Sequence, residues 1–361
     1  MSAPRVIISG GGTGGHLFPA LVLGRRLAEA VPGLEIIHVG SGRPAERALM
    51  ARQNVRFLSL RVEGLKGRGW RSLRSLVLLP AAFARAFLLL RETKPGLVVG
   101  VGGYSSGPVV LLAAWTGIPT MILEQNVRPG FTNRLLLPWV RTAVAAFEIS
   151  LPRLKGKGVF LGNPVREAFY AVPRKARGER LSVLVFGGSQ GSRFLNRGVT
   201  SALPILERWR KALKFVHQTG PADARWVGHA YAESGFDEAV VVPFIEDMAA
   251  AFSAADLVVC RAGATTCAEL AAARRAAILV PFAGAAEDHQ TQNAAELVRA
   301  GGAEMIREAE WSPKHFAQRL LFYLSHRDRL TAMEDGLSPL RTEGAAGVIA
   351  DRALALMKGR P

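Results

Sequence analysis

The sequence predicts two tandem α/β domains, each built on a doubly wound parallel sheet, and three observations carry that prediction. Short runs rich in Val and Ile alternate with helical stretches along the whole chain. Each half opens on a strand, a glycine turn and a helix, VIISGGGTGGHLFPA from Val6 and VLVFGGSQGSRFLNR from Val183, offset by 177 residues. The chain is 361 residues long, 49% hydrophobic and 21% charged, enough for two cores at roughly 100 to 200 residues per domain.

Taken in order, residues 6–9, 35–39, 97–101 and 120–123 are apolar runs of the length and composition of buried parallel strands. The pattern restarts at 181–186, 214–218, 239–242, 257–260 and 277–280. Between the two sets lies 163–180, with Pro164, Pro173 and five basic residues after Val165, the composition of a linker. The boundary is expected near 164, giving domains over 1–163 and 164–340. A terminal helix is expected within 341–361, because Val348, Ile349, Ala353, Leu354 and Met357 recur at helical spacing.

Composition removes several function classes. Two cysteines, Cys260 and Cys267, cannot form a disulfide framework and lack the spacing of a zinc ribbon or redox pair, so a reducing cytosolic setting is the expectation. MSAPRVIISGGG has neither a charged leader nor an apolar core, and reads as a first strand. The most apolar tract, 75–84, has 10 residues between Arg74 and Arg85, short of the roughly 18 needed to cross a bilayer. The net charge of +17 is unevenly placed: residues 1–180 hold 26 Lys and Arg against 9 Asp and Glu, whereas 181–361 hold 20 of each. The first half is therefore expected to face an anionic surface or ligand.

Gly10, Gly11, Gly12, Gly14 and Gly15 lie between a strand and a helix, where backbone amides and the helix dipole favour a phosphate. The same holds for Gly102, Gly103, Tyr104, Ser105, Ser106 and Gly107, and for Gly187, Gly188, Ser189, Gln190 and Gly191. A single loop of this kind can be a mere tight turn; three point to more than one anionic group. Gly10, Gly12 and Gly15 satisfy GxGxxG, but the next strand ends Val39, Gly40, Ser41 without the acid a dinucleotide ribose needs, and Glu46 lies too far along. No GxxxxGK[ST] and no DxD pair occurs, so helix termini and loop amides would stabilise a leaving diphosphate without a metal.

His16 follows the first glycine loop at a helix start, where the positive helix end favours the neutral ring; it is either a general base or a ligand of a phosphate or carbonyl. In RAGATTCAEL a turn opens a helix that is expected to carry Glu269 in its first turn. Thr266 and Glu269 fit a Thr-x-x-Glu capping box; alternatively Glu269 accepts hydrogen bonds from vicinal ribose hydroxyls while the turn amides hold phosphate. Gln290 and Asn293 in PFAGAAEDHQTQNA follow a strand and loop, placed to read sugar hydroxyls.

Together GGTGGHLFPA at 11–20, GGYSSGP at 102–108, EQN at 124–126, GNPVR at 162–166, GGSQG at 187–191, RAGATTCAE at 261–269 and DHQTQNA at 288–294 resemble the MurG family. These bacterial transferases convert lipid I to lipid II, and the resemblance runs in order from about residue 5 to 350. It implies two Rossmann-like domains facing across a cleft, the GT-B glycosyltransferase architecture. It also implies transfer of N-acetylglucosamine from UDP-N-acetylglucosamine to the muramyl sugar of a membrane-held undecaprenyl pyrophosphate, without a cofactor, at the cytoplasmic face of the inner membrane. By the same resemblance Thr13, Gly14, Gly15, Asn126, Arg166, Ser189, Ile245, Ala264, Thr265, Thr266, Cys267, Ala268, Glu269 and Gln290 would contact the donor, with Glu269 on the ribose and the Ile245 amide on uracil. The first-domain loops, through Gly12, Gly103, Tyr104, Ser105 and Ser106, would face the acceptor pyrophosphate. Inversion needs a base on the attacking hydroxyl, and His16 and Glu124 are both candidates.

The charge distribution points the same way. Residues 66–94 carry Lys66, Arg68, Arg71, Arg74, Arg85, Arg91 and Lys94 against Glu92, interleaved with Trp70, Leu73, Leu76, Phe83 and Phe87. Such a segment is either a surface that adsorbs to an anionic leaflet or an amphipathic helix with a solvated basic face. A different lipid acceptor on the same fold, or nucleic acid bound by the basic half, would use the same features; the latter leaves RAGATTCAE unexplained and lacks aromatic stacking motifs, so no nucleic-acid partner is expected.

Overall fold

The computed structural model describes residues 3–12, 14–60, 62 and 70–359, with the backbone alone at 70–79. Thr13, Lys66 and Arg68 lie outside the described residues, as do the side chains of Trp70, Arg71, Leu73, Arg74 and Leu76. The chain forms two compact units, Met1–Val165 with Gly344–Pro361, and Arg166–Glu343.

The first unit contains β1 Arg5–Ser9, β2 Glu35–Gly40, β3 Arg56–Ser59, β4 Leu97–Gly100, β5 Thr120–Glu124, β6 Thr142–Ala145 and β7 Gly158–Phe160. All pair in parallel, in the order β3-β2-β1-β4-β5-β6-β7. Ile7 lies opposite Ile37 on one side and Val98 on the other. Because side chains alternate along a strand, Val6 and Ile8 enter one core while Ile7 enters the other, and both faces are covered. That is why these strands read as continuous apolar runs. Helices α1 Gly14–Ala30, α2 Pro44–Arg52, α3 Trp70–Thr93, α4 Ser106–Trp115 and α5 Phe131–Leu136 connect them.

The second unit contains β8 Leu181–Phe186, β9 Leu213–Gln218, β10 Val240–Val242, β11 Leu257–Cys260, β12 Ala277–Leu279 and β13 Ala303–Met305, again parallel and ordered β10-β9-β8-β11-β12-β13. Its helices are α6 Glu167–Tyr170, α7 Arg193–Thr200, α8 Leu203–Leu206, α9 Ala224–Glu233, α10 Met248–Ala254, α11 Ala264–Ala273, α12 His289–Arg299, α13 Pro313–Ser325 and α14 Arg327–Gly336. In each sheet the strand order reverses beside its first strand, between β1 and β4 and between β8 and β11. The crevice outside the carboxyl ends of the strands at such a reversal is where open α/β sheets bind ligands. Among the described residues no helix is long and apolar enough to cross a membrane.

The structure adds four strands, docks the expected linker, and places the expected terminal helix. Strands β3, β6, β7 and β13 (RFLS, TAVA, GVF and AEM) span only three or four residues each, and pairing with the neighbouring strand fixes them. The supposed linker is docked on the second unit from Arg166 onward. Phe169 is fully buried with its ring 5.1 Å from that of Phe252, and Arg177 pairs with the buried carboxylates of Asp256 and Glu334 at 3.2 and 2.8 Å. Its arginines thus serve as anchors, which composition cannot distinguish from solvated ones. The terminal helix, α15 Ala345–Met357, returns to the first unit, where Ala345, Ile349, Ala350, Ala353 and Leu356 join Val6, Ile8, Leu23 and Leu27 in one core. Val348, counted among its apolar face, is exposed.

Candidate active site

In the first unit the loops after β1 and β4 pack backbone to backbone. A methyl group added at Gly10 would collide with the Gly102 carbonyl, and one added at Gly103 would meet the carbonyl oxygen of Gly11. Gly102 and Gly103 have φ of +92° and +82°, so the close approach and the left-handed backbone both demand glycine. Half-buried His16, in the first turn of α1, lies over this junction: a methyl group at Gly102 would stand 2.8 Å from its Nε2. Gly14 and Gly15 form the start of α1 beside it. Arg43, which sequence reasoning missed, adds an exposed guanidinium by donating from Nη1 to the Gly12 carbonyl at 3.3 Å.

The acceptor-loop residues are not equally available. Tyr104 is exposed, but the Ser106 hydroxyl is buried and donates to the Gly103 carbonyl at 2.8 Å, while its amide turns to the same oxygen. Ser106 therefore shapes the loop and offers no side-chain donor. Ser105 is also buried, its carbonyl accepting from the Ser9 hydroxyl at 3.3 Å.

Glu124 ends β5 fully buried. Its Oε1 accepts from the Asn126 amide at 3.0 Å and the Asn126 side chain at 3.2 Å, and its Oε2 from the Gly130 amide at 2.9 Å and Asn133 Nδ2 at 2.8 Å. Burial raises its pKa, and these four bonds pull the other way. A carboxylate committed to so many internal donors braces the 126–133 segment. Asn126 in turn is held by Glu124.

In the second unit the 187–191 turn and the turn at Thr219 and Gly220 are in backbone contact, since a methyl group at Gly191 or Gly220 would overlap the opposing chain. Ser189 is exposed at the tip. Across the strand-order reversal, Arg261 joins the loops after β8 and β11. Its Nε donates to Ser192 Oγ at 3.1 Å, its Nη1 to the Val280 and Pro281 carbonyls, and it pairs with Glu308 at 2.6 Å. Asn293 is fully buried and donates to the Ala262 carbonyl, so it is structural and reads no ligand. Gln290 accepts from the Phe282 amide at 3.0 Å through Oε1, leaving its amide nitrogen as the donor end.

Helix α11 begins after Gly263, which has no side chain to cap it, and its first-turn amides belong to Ala264, Thr265 and Thr266. Glu269 is the sixth residue of this helix, not a first-turn residue, and Thr266 lies inside it, so the capping box does not form. Glu269 instead pairs with Arg166, Nη2 to Oε1 at 3.1 Å, and the Arg166 guanidinium rests 4.8 Å over the Phe169 ring. Burial pushes the Glu269 carboxyl up to about 6, against the pull of Arg166. Cys267 is fully buried with its thiol pushed up to about 12 by burial, which withdraws it from ligand contact; Ala268 is partly accessible. The Ile245 amide, expected to meet uracil, donates to Gln218 Oε1 at 2.8 Å.

Two parallel α/β units, with glycine loops at their strand-order reversals and a buried carboxylate behind an uncapped helix start, define a nucleotide-sugar-binding protein of the GT-B class. The glycosyltransferase family 28 N-terminal domain matches residues 6–146 and the C-terminal domain of that family matches 182–347. The UDP-N-acetylglucosamine--N-acetylmuramyl-(pentapeptide) pyrophosphoryl-undecaprenol N-acetylglucosamine transferase of Myxococcus xanthus is 46% identical, covering 98% of this chain and 93% of that protein. Its counterpart in Syntrophus aciditrophicus is 43% identical, covering 98% and 99%. The crystal structure of Acinetobacter baumannii MurG superposes with a TM-score of 0.78 at 31% identity, covering 97% of this chain and 99% of that one. The chain belongs to the MurG family of glycosyltransferase family 28.

Proposed function

We propose that this chain transfers N-acetylglucosamine from UDP-N-acetylglucosamine to undecaprenyl-pyrophosphoryl-MurNAc-pentapeptide, lipid I, giving lipid II for peptidoglycan synthesis. The identity of 46% over nearly the whole chain to a transferase named for that reaction carries the reading. The site apportions the chemistry. In the second unit Glu269 Oε2 accepts from the ribose hydroxyls while Arg166 holds Oε1. The amides of Ala264, Thr265 and Thr266 and the positive start of α11 hold the leaving diphosphate, with Ser189, Ala268 and Gln290 alongside. In the first unit the loops at Gly12, Gly103 and Tyr104 address the acceptor pyrophosphate, and His16 removes the proton from the attacking hydroxyl as it displaces UDP with inversion.

With a lipid I analogue, UDP release is expected with UDP-N-acetylglucosamine and to be much slower with UDP-glucose or UDP-galactose. It is also expected to persist in excess EDTA, because loop amides and a helix terminus do the work of a divalent ion. Equal turnover of all three donors would sink the assignment, and loss of turnover to chelator would sink the metal-independent account.

The acceptor is lipid-borne, so the enzyme works peripherally at the cytoplasmic face of the membrane. Helices α3, α4 and α5 cover one face of the first sheet. Their outer surface exposes Phe87 (42%), Leu88 (54%), Trp115 (57%) and, just past α5, Trp139 (51%). Trp115 and Trp139 meet edge to face at 5.6 Å, and the Arg91 guanidinium stands 5.9 Å over Phe87. Exposed aromatics beside arginines suit a headgroup layer. At about 1 kcal/mol per basic residue near an anionic leaflet, reversing Arg68, Arg71 and Arg74 to Glu should cut cosedimentation with anionic vesicles by at least about tenfold. Trp115→Ala with Trp139→Ala should weaken binding to neutral vesicles as well; unchanged partitioning of both variants would place the membrane contact elsewhere.

A further inference from the structure

Gln218 is the last residue of β9, 1% exposed, and neither the charge pattern nor the glycine motifs drew attention to it. Its strand lies between β8 and β10, with Phe186 and Val242 as its register partners. Its carboxamide reaches into the loop that follows each of those neighbours: Nε2 donates to the Gly188 carbonyl at 2.9 Å and Oε1 accepts from the Ile245 amide at 2.8 Å. The Gly188 carbonyl also accepts from the Gly191 amide at 2.9 Å, so the same oxygen closes the glycine turn. One buried side chain therefore spans two loops that share no backbone ladder, beside the 219–220 turn, which packs against Gly191 and donates from the Gly220 amide to the Pro243 carbonyl at 3.1 Å.

We propose that Gln218 is a positioning residue for the donor nucleotide, tying the 187–191 turn to the 243–247 loop so that diphosphate-facing and base-facing groups keep one spacing. This rests on the donor assignment above. A carboxamide suits the task because it presents one donor and one acceptor on a short planar group, and both are consumed by backbone partners of opposite type. An apolar isostere would leave the partly buried Ile245 amide without its acceptor, strip one of two donors from the Gly188 carbonyl, and loosen both loops. The cost then falls on donor binding, not on the chemical step, because nothing in the pair reaches the reacting carbon.

Gln218→Leu is expected to raise the KM for UDP-N-acetylglucosamine about tenfold or more, as for a lost buried hydrogen-bond pair, with kcat changed about threefold at most. Gln218→Glu supplies a second reading. As a carboxylate it still accepts from Ile245 but meets the Gly188 carbonyl with no proton; once protonated it donates there and restores the tie. Nearby groups do not blur this titration. His217 on the same strand is held neutral, its pKa down to about 3 by burial. Arg193 at the start of α7 is paired with Asp223, β8 and β10 contribute no titratable neighbour in register, and Glu246 and Asp247 on the far loop are exposed. Donor affinity of Gln218→Glu should therefore rise as pH is lowered from 8.5 to 7.5, above the range in which Glu269 titrates, while the wild-type protein stays level. A folded Gln218→Leu protein with unchanged donor KM, or a Gln218→Glu protein that follows the wild-type pH profile, overturns the proposal. Glu269→Ala serves as the control: if it weakens donor binding and Gln218→Leu does not, only the tie fails; if neither does, the donor assignment falls with it.

Discussion

Replacing Glu269 by alanine should weaken binding of UDP-N-acetylglucosamine by about ten- to a hundredfold while kcat falls far less, the range for losing hydrogen bonds to a buried charged acceptor. The carboxylate sits behind the start of α11, held on one oxygen by Arg166 at 3.1 Å. In the proposed role it grips a part of the donor that does not react, so its loss is felt equally in ground and transition states. The pH dependence follows with a definite sign. Burial has lifted the carboxyl to about 6, and the ionised form is the hydroxyl acceptor. Donor affinity is therefore full above that value and declines as pH falls through it, and Glu269→Gln should abolish the decline. Isothermal titration with UDP at pH 5.5, 6.5 and 7.5 reads both effects. Affinity in the wild-type protein that is level across this series would remove the carboxylate from the ribose.

What the sequence made legible follows from how locally each feature is encoded. The strands leading into the glycine loops are apolar on both faces, and Gly10, Gly102 and Gly191 sit where only glycine permits the backbone approach, so both loops and sheets could be read from composition and order. Partners separated by long stretches of chain could not. Arg166 and Glu269 are 103 positions apart, and nothing at either end announces that a carboxylate assigned to ribose is first held by an arginine assigned to the same ligand. Gln218 escaped notice because a single glutamine at a strand end carries no pattern; its meaning lies in two loops brought beside it by parallel pairing. Arg261 was visible as the first letter of RAGATTCAE yet its function as a bridge to Ser192 depends on β8 and β11 being neighbours. Glu124 and Ile245 show the converse: their polar groups suit a ligand in sequence, and in the fold they also bond internal partners.

His16→Ala should lower kcat by about a hundred- to ten-thousandfold, the range for loss of a general base, with donor affinity nearly unchanged. The expectation comes from where the ring lies. It stands over the junction of two glycine loops at Gly102, on the unit to which the proposal assigns the acceptor, while Glu269, the proposed donor grip, belongs to the other unit. Glu124 provides the contrast. Both its oxygens brace the 126–133 segment, so Glu124→Ala should lower the thermal midpoint and impair turnover through misplacement of that segment, as loss of a buried four-bond acceptor leaves its donors unpaired. Glu124→Gln keeps an acceptor for two of the four donors and turns its NH2 toward the other two, so it should lose part of the stability and activity, whereas a general base changed to its amide would lose nearly all of the activity. The pH profile of kcat separates the two residues: if His16 is the base, the acidic limb of the wild-type profile disappears in His16→Ala and survives in Glu124→Gln. An acidic limb that persists in His16→Ala, or near-complete inactivity of a stably folded Glu124→Gln, would return the proton transfer to Glu124 and make the histidine a pyrophosphate ligand.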